Sequence, residues 1–141
     1  LNKTFIKLTI VNFSMKQLLY PQEIEVHYII PALKRQLALA FKEQGLKQKE
    51  IAQILHIEDA TVSQYINKKR GAQISLPEEL KKEVKKSTIL INDKISLLRE
   101  TQRLIHLART SGVICEVHKK ISQIPDECHT NLIGCFGGVV K

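Results

Sequence analysis

Apolar residues through most of this chain recur every three or four positions, the period of an amphipathic helix. From Pro31 to Gln44 the recurring positions are Leu33, Leu37, Ala40 and Phe41, and Gly45 closes the run as a left-handed cap. Pro31 suits the first turn of that helix, where its missing N–H costs nothing. Glu23 to Ile30 reads as a short helix or an extended segment. Lys47 to Leu55 repeats the helical pattern with Ile51, Ala52, Ile54 and Leu55, and His56-Ile57-Glu58 forms a turn. A third helix follows from Asp59 to Asn67. Lys68-Lys69-Arg70-Gly71 ends it with cations at the negative end of the helix dipole.

A further helix starts at Ser75-Leu76-Pro77-Glu78-Glu79, where a Ser or Leu cap precedes Pro and two acids. Leu80, Val84, Thr88, Ile91, Ile95 and Leu98 then step by three or four. Asn92-Asp93 can break this run and cap a second helix that reaches Arg109. Ser111-Gly112 ends it, Val113 to Lys120 is a short amphipathic helix, and Pro125 with Gly134, Gly137 and Gly138 marks an irregular tail. Residues 1–14 are apolar and β-leaning: an extra strand, a tail, or the product of an early start codon upstream of Met15. The pattern predicts an all-α chain without internal repeats.

Composition narrows the class. The chain has 141 residues, 43% hydrophobic and 26% charged, with few aromatics and no Trp. That is one domain, or a small domain with an appended helical segment, and too apolar to be disordered. A membrane-spanning helix needs about 18 apolar residues in succession. The longest uncharged stretch, Cys128 to Val140 with His taken as neutral, is shorter and holds three glycines. Lys7 interrupts the only apolar run near the start, which argues against a signal peptide. The net charge is +8 and favours a polyanionic partner, nucleic acid first and anionic membrane second. The excess lies in the first half: residues 1–72 hold 11 basic and 6 acidic side chains, residues 73–141 hold 11 and 8. Three cysteines, all in the last third, do not make a secreted disulfide framework and suit a reducing cytoplasm.

Gln48 to Asn67, QKEIAQILHIEDATVSQYIN, has the form of a helix-turn-helix. Ala52 is small where the second helix crosses the first. Ile51 and Leu55 face the core, Ile57 plugs the turn, and Val62 and Tyr65 anchor the second helix. Thr61, Ser63, Gln64, Asn67 and Lys68 are left pointing outward. A helix so placed enters the major groove. There Gln64 and Asn67 can bond adenine bidentately, and the Thr61 methyl can touch thymine. The turn needs a left-handed residue where Gly is usual. His56 stands there and tolerates that region better than most residues. Glu58 and Asp59 are acids beside an anionic partner, but either can cap the third helix, and Asp59 can accept from cytosine N4. The structural alternative is a plain two-helix hairpin in a bundle.

YIIPALKRQLA, GLKQKEIAQIL and ATVSQYINKKRG together resemble archaeal transcriptional regulators of the lambda-repressor-like (XRE-type) helix-turn-helix class. The likeness covers about residues 20–75 strongly. It runs on more weakly through LLRETQRLIHLARTSGVICEVHKK, where such regulators often carry a Cys- and His-rich segment. The resemblance implies a lambda-repressor-like domain whose third helix is the reader, with Gln48, Thr61, Ser63, Gln64 and Tyr65 at or near DNA. Two features depart from those relatives: RETQRLIHLA holds no Cys, and Asn131 stands three residues after Cys128.

Lys47, Lys49, Lys68, Lys69 and Arg70 flank the two helices and suit phosphates, which fix register and dominate salt dependence. Lys81, Lys82, Lys85 and Lys86 read as a solvated helix face. No aromatic–basic interleave suggests a single-strand platform. Cys115-x-x-His118 with Cys128, and His129 or Cys135, could bind Zn or another transition metal tetrahedrally. The plainer reading is reduced thiols and a surface His, with a reactive redox thiol as a third. His27, His56 and His106 are isolated. No catalytic set is present, so the chain is not read as an enzyme.

One reader helix sees few base pairs, and such domains usually dimerise with a C2 axis. The Leu80–Leu98 stripe is the best dimer candidate; its alternative is simple packing on the first three helices of its own chain. The organisation expected is an N-terminal extension (1–20), a DNA-binding domain (21–72), a helical dimerisation and possible sensor segment (76–130) and a flexible tail (131–141). The function expected is a cytoplasmic, homodimeric regulator on double-stranded DNA, with no membrane partner. The alternatives are a protein-interaction or assembly factor and a metal- or redox-responsive regulator.

Overall fold

The computed structural model describes residues 17–135; they form helices and connections, with no strand among them. The expectations for residues 1–14 and for the end of the tail, residues 136–141, fall outside the described residues. α1 (Pro21–Ile24) continues through one π-helical turn (Glu25–Ile29) into α2 (Ile30–Glu43). Glu23–Ile30 is therefore helical, and Pro31 explains its widened turn. Pro31 has no N–H, and in a regular helix its ring would strike the carbonyl four residues back. The chain adopts i→i−5 bonding just before it, with the Ile30 N–H donating to the Glu25 carbonyl.

α3 (Gln48–Leu55) and α4 (Asp59–Ile66) follow, joined by His56-Ile57-Glu58. His56 has φ 53° and ψ 45°, the left-handed conformation its place in the turn demands. A β-carbon in that region costs roughly 1–2 kcal/mol, partly offset by the flexibility that Gly adds to the unfolded chain. His56→Gly is expected to raise stability by about 0.5–1 kcal/mol in urea unfolding. An unchanged or lowered midpoint would show that the turn carries no strain.

α5 (Glu78–Leu90) and α6 (Lys94–Thr110) form an antiparallel hairpin, and α7 (Val113–Ile121) and the short α8 (Thr130–Ile133) complete the chain. Pro77 occupies the N-cap of α5. Asp93 caps α6: its carboxylate accepts from the Ser96 N–H at 2.7 Å, and the Ser96 hydroxyl accepts from the Asp93 N–H at 3.0 Å. The start of the expected tail is therefore helical.

α2 lies at the centre, against α3, α4, α5 and α6. Leu33, Leu37, Ala38 and Phe41 on α2 meet Ile51, Ala52, Leu55, Val62 and Tyr65 from α3 and α4, and Leu80, Val84, Leu104 and Ala108 from the hairpin. One continuous core thus spans Ile24 to Val117. Leu80, Val84, Thr88 and Ile91 are buried inside the chain, so the stripe expected to pair two copies is mostly core. Only Ile95 and Leu98, 68% and 62% exposed, face outward. No helix among the described residues is long and apolar enough to cross a membrane.

Polar groups lock the hairpin from inside. Ser87, fully buried, donates to Glu100 Oε1 at 2.9 Å, and Arg103 Nε donates to the same oxygen at 2.9 Å. Burial of Glu100 disfavours its charge, but hydrogen bonds from Arg103 and Ser87, with the charges of Arg103 and Arg99, outweigh that and lower its pKa. A lowered folded-state pKa gives stability that is complete above the ordinary carboxylate range and lost as pH falls through the folded value. The acid limb of the stability profile is expected to flatten in Glu100→Gln, measured by urea unfolding across pH 2–6, ~2 units either side of an ordinary glutamate. An identical limb would mean that Glu100 takes no part in acid unfolding. At the other end of α6, Arg109 clamps the buried Glu25 with Nη2 and Nε at 2.8 and 3.0 Å from Oε1.

Candidate nucleic-acid interface

The α3–turn–α4 unit is fixed by short-range contacts. Ala52 is buried where the helices cross, and its carbonyl accepts from the Ile57 N–H at 3.0 Å. Gln48 opens α3, and its Nε2 donates to the Asp59 carbonyl at 3.0 Å, tying the starts of both helices together. The Lys47 N–H is capped by Glu50 Oε1 at 3.0 Å. Glu58 occupies the α4 N-cap but its side chain makes no cap bond, so neither expected acid caps that helix through its side chain.

α4 divides into two faces. Val62 and Tyr65 are buried, 0% and 3% exposed. Tyr65, expected at or near DNA, belongs to the core face. Burial raises its pKa, while the Arg70 guanidinium at its hydroxyl pulls the other way. Thr61, Ser63 and Gln64 are half-buried at the helix surface and Asn67 is exposed. Asn67 Nδ2 donates to Ser63 Oγ at 3.1 Å, so these two side chains form one polar unit.

The chain beyond α4 is folded back tightly. Lys68 takes a left-handed conformation, φ 62°. The Lys69 and Arg70 N–H groups both donate to the Gln64 carbonyl, at 2.8 and 3.2 Å. Gly71, φ 74°, then lies against the Pro31 carbonyl and Arg35. Arg35 Nε donates to the Tyr65 carbonyl at 3.1 Å. Helical spacing gave no sign of Arg35, because its partner is 30 residues away. It is a positioning residue that holds the end of α4 to α2.

Charge is distributed unevenly. The ion pairs among the described residues lie elsewhere: Lys81–Glu78, Lys85–Glu43, Lys86–Glu83, Arg103 with Glu83 and Glu100, and Arg109–Glu25. Among those residues no carboxylate pairs with Lys34, Lys47, Lys49, Lys68, Lys69 or Arg70. All but Lys34 were legible as candidate phosphate contacts. Two open grooves flank Arg70. One, of about 290 Å³, is lined by His27, Tyr28 and the 68–73 segment. The other, of about 510 Å³, is lined by Lys34, His56, Glu58, Thr61, Tyr65 and Arg70.

No family model, curated protein or solved structure matches this chain. What the face does has to follow from its own residues. An outward polar helix face with unpaired cations at both ends can bond base edges and phosphates together.

The Cys/His segment comes together only in part. Cys115, His118, Cys128, His129 and Cys135 line one pocket of about 20 Å³. Among the described residues, however, no three His, Cys, Asp or Glu side chains are arranged to hold a metal ion. His129 Nδ1 accepts from the Leu132 N–H at 3.1 Å as the α8 cap, which engages its lone pair, whereas buried His118 donates from Nε2 to the Leu19 carbonyl and keeps its Nδ1 lone pair. Among the described residues the expected ligand set of Cys115, His118, Cys128 and His129 is not assembled. The Cys135 thiol is pushed up by burial, and further by Cys128 and Cys115 beside it, which disfavours a thiolate.

Proposed function

We propose that this protein is a sequence-specific double-stranded DNA-binding transcriptional regulator of the lambda-repressor-like helix-turn-helix class. One observation carries the reading. α4 turns Thr61, Ser63, Gln64 and Asn67 outward between cations that have no carboxylate partner among the described residues. α4 is the reader helix in the major groove. Gln64 and Asn67 read base edges, and Lys47, Lys49, Lys68, Lys69 and Arg70 hold phosphates. Gln48 sets the angle between the two helices through its bond to the Asp59 carbonyl.

The protein acts on an operator as a C2 homodimer, because two readers are needed to cover a useful number of base pairs. Exposed Ile89, Leu90, Ile95 and Leu98, around the turn between α5 and α6, support a contact there. Fluorescence anisotropy on labelled duplex pools in a salt series tests the reading. Tight binding that falls steeply with salt supports it. No binding to any duplex at low salt would overturn it and favour an assembly role for the same scaffold.

A further inference from the structure

The groove beside the reader helix holds a cation that the motif did not assign. Lys34 stands on α2, exposed, and lines the same groove as Thr61 and Arg70. Its neighbour Arg35 is committed to the Tyr65 carbonyl. Lys34 has no such commitment: no carboxylate pairs with it among the described residues. Across the groove, Arg70 is held in place. Its guanidinium meets the Tyr65 hydroxyl, its N–H donates to the Gln64 carbonyl, and Gly71 behind it rests on α2. Two cations on different elements, 36 positions apart in sequence, thus border one groove, and the core fixes their elements relative to each other.

We propose that this groove is a seat for one DNA backbone phosphate, held between Lys34 and Arg70 next to the base pairs that the start of α4 reads. The inference rests on the duplex-DNA reading and extends the binding surface from α3 and α4 onto α2. The ligand class is a phosphodiester of a polynucleotide, not a free anion. Glu58 also lines the groove, and its carboxylate works against a small mobile anion there. A phosphate delivered as part of a duplex is held by many contacts at once and sits toward the cationic side. Glu58 stands at the N-cap, seven residues and about 10 Å along the helix axis before Tyr65, the residue that Arg70 touches.

The test is the full chain on a labelled random duplex pool across a salt series, with Lys34→Ala, Lys34→Arg and, as a control, Lys94→Ala on α6. One phosphate contact contributes about 0.9 to the slope of log affinity against log salt. Lys34→Ala is expected to flatten the slope by that amount and to bind about eightfold more weakly near 0.1 M salt. The loss should be equal on random and operator duplexes, because a phosphate carries no sequence. Lys34→Arg should restore most of the binding, and Lys94→Ala should register only the general loss of one positive charge. If the unaltered protein binds duplex while Lys34→Ala behaves like Lys94→Ala, the phosphate seat is wrong and the DNA reading stands. If the unaltered protein binds no duplex, the DNA reading fails and takes the seat with it.

Discussion

Lys69→Ala combined with Arg70→Ala is expected to cut duplex affinity about 60-fold near 0.1 M salt and to flatten the salt slope by about 1.8. Both side chains are exposed, and neither pairs with a carboxylate among the described residues. Their backbones are held independently, through N–H bonds to the Gln64 carbonyl. Truncation therefore removes charge and the Arg70 bond to the Tyr65 hydroxyl without releasing the loop backbone, and the melting temperature should fall by only about 2–4 °C. Gln64→Ala should behave in the opposite way. It lies on the outer face of α4 and is assigned to base edges, so its loss costs about 1–3 kcal/mol on a selected operator. It should leave the salt slope and random-duplex binding almost unchanged. Anisotropy titrations of both variants on random and selected duplexes separate the roles. If the double variant keeps the full slope, these cations do not touch phosphate and the interface must be placed elsewhere.

The helix–turn–helix geometry beneath these assignments was legible because it is written in short-range spacing. Ala52, His56, Val62 and Tyr65 sit within fourteen residues, and each is constrained by its immediate neighbours. The left-handed His56 could be anticipated from the turn alone. The break at Asn92-Asp93 was equally local, since Asp93 and Ser96 cap the helix they begin.

The Leu80–Leu98 stripe misled for a physical reason. It was read as one face, but the break resets the helical phase. Up to Ile91 the stripe points into the core; after the break Ser96 and Glu100 take the inward positions and Ile95 and Leu98 turn out. Polar residues can occupy the inner face of α6 because Ser87, Arg103 and the Asp93 cap satisfy them. Arg103 and Asp93 act three residues from their partners on the same helix, but Ser87 reaches Glu100 across the hairpin and leaves no periodic trace.

Long-range pairings were invisible for the same reason. Glu25 and Arg109 are 84 residues apart, and His118 meets the Leu19 carbonyl from 99 residues away. Lys34 and Arg35 take no assignment from the helical pattern of Pro31 to Gln44. Only the fold shows that one borders the reader groove and the other holds the end of the reader.

Gly71→Ala is expected to be the most damaging small substitution on the binding face, lowering stability by about 2–5 kcal/mol. Two costs add. At φ 74° an added β-carbon meets backbone strain of roughly 1–2 kcal/mol. It would also collide with the Pro31 carbonyl oxygen and with Arg35 Cβ, 2.9 Å away, neither of which is the free end of a flexible side chain. Overpacking of that kind costs about 1–3 kcal/mol. Gly112→Ala provides the comparison: φ is 84° there, but nothing lies within 4 Å of the added carbon, so it carries the first cost alone. For a chain of this size each kcal/mol moves the melting temperature by about 2–4 °C. Gly71→Ala should therefore melt roughly 4–20 °C lower, and Gly112→Ala about 2–8 °C lower. The collision can be relieved only by lifting the Lys68–Arg70 segment off α2, which moves Arg70 away from Lys34. Duplex binding by Gly71→Ala should then fall even at temperatures where the protein is fully folded, whereas Gly112→Ala should bind normally once folded. Equal melting temperatures for the two variants would mean that the loop does not rest on α2, and the preorganisation of the phosphate-binding cations would have to come from another contact.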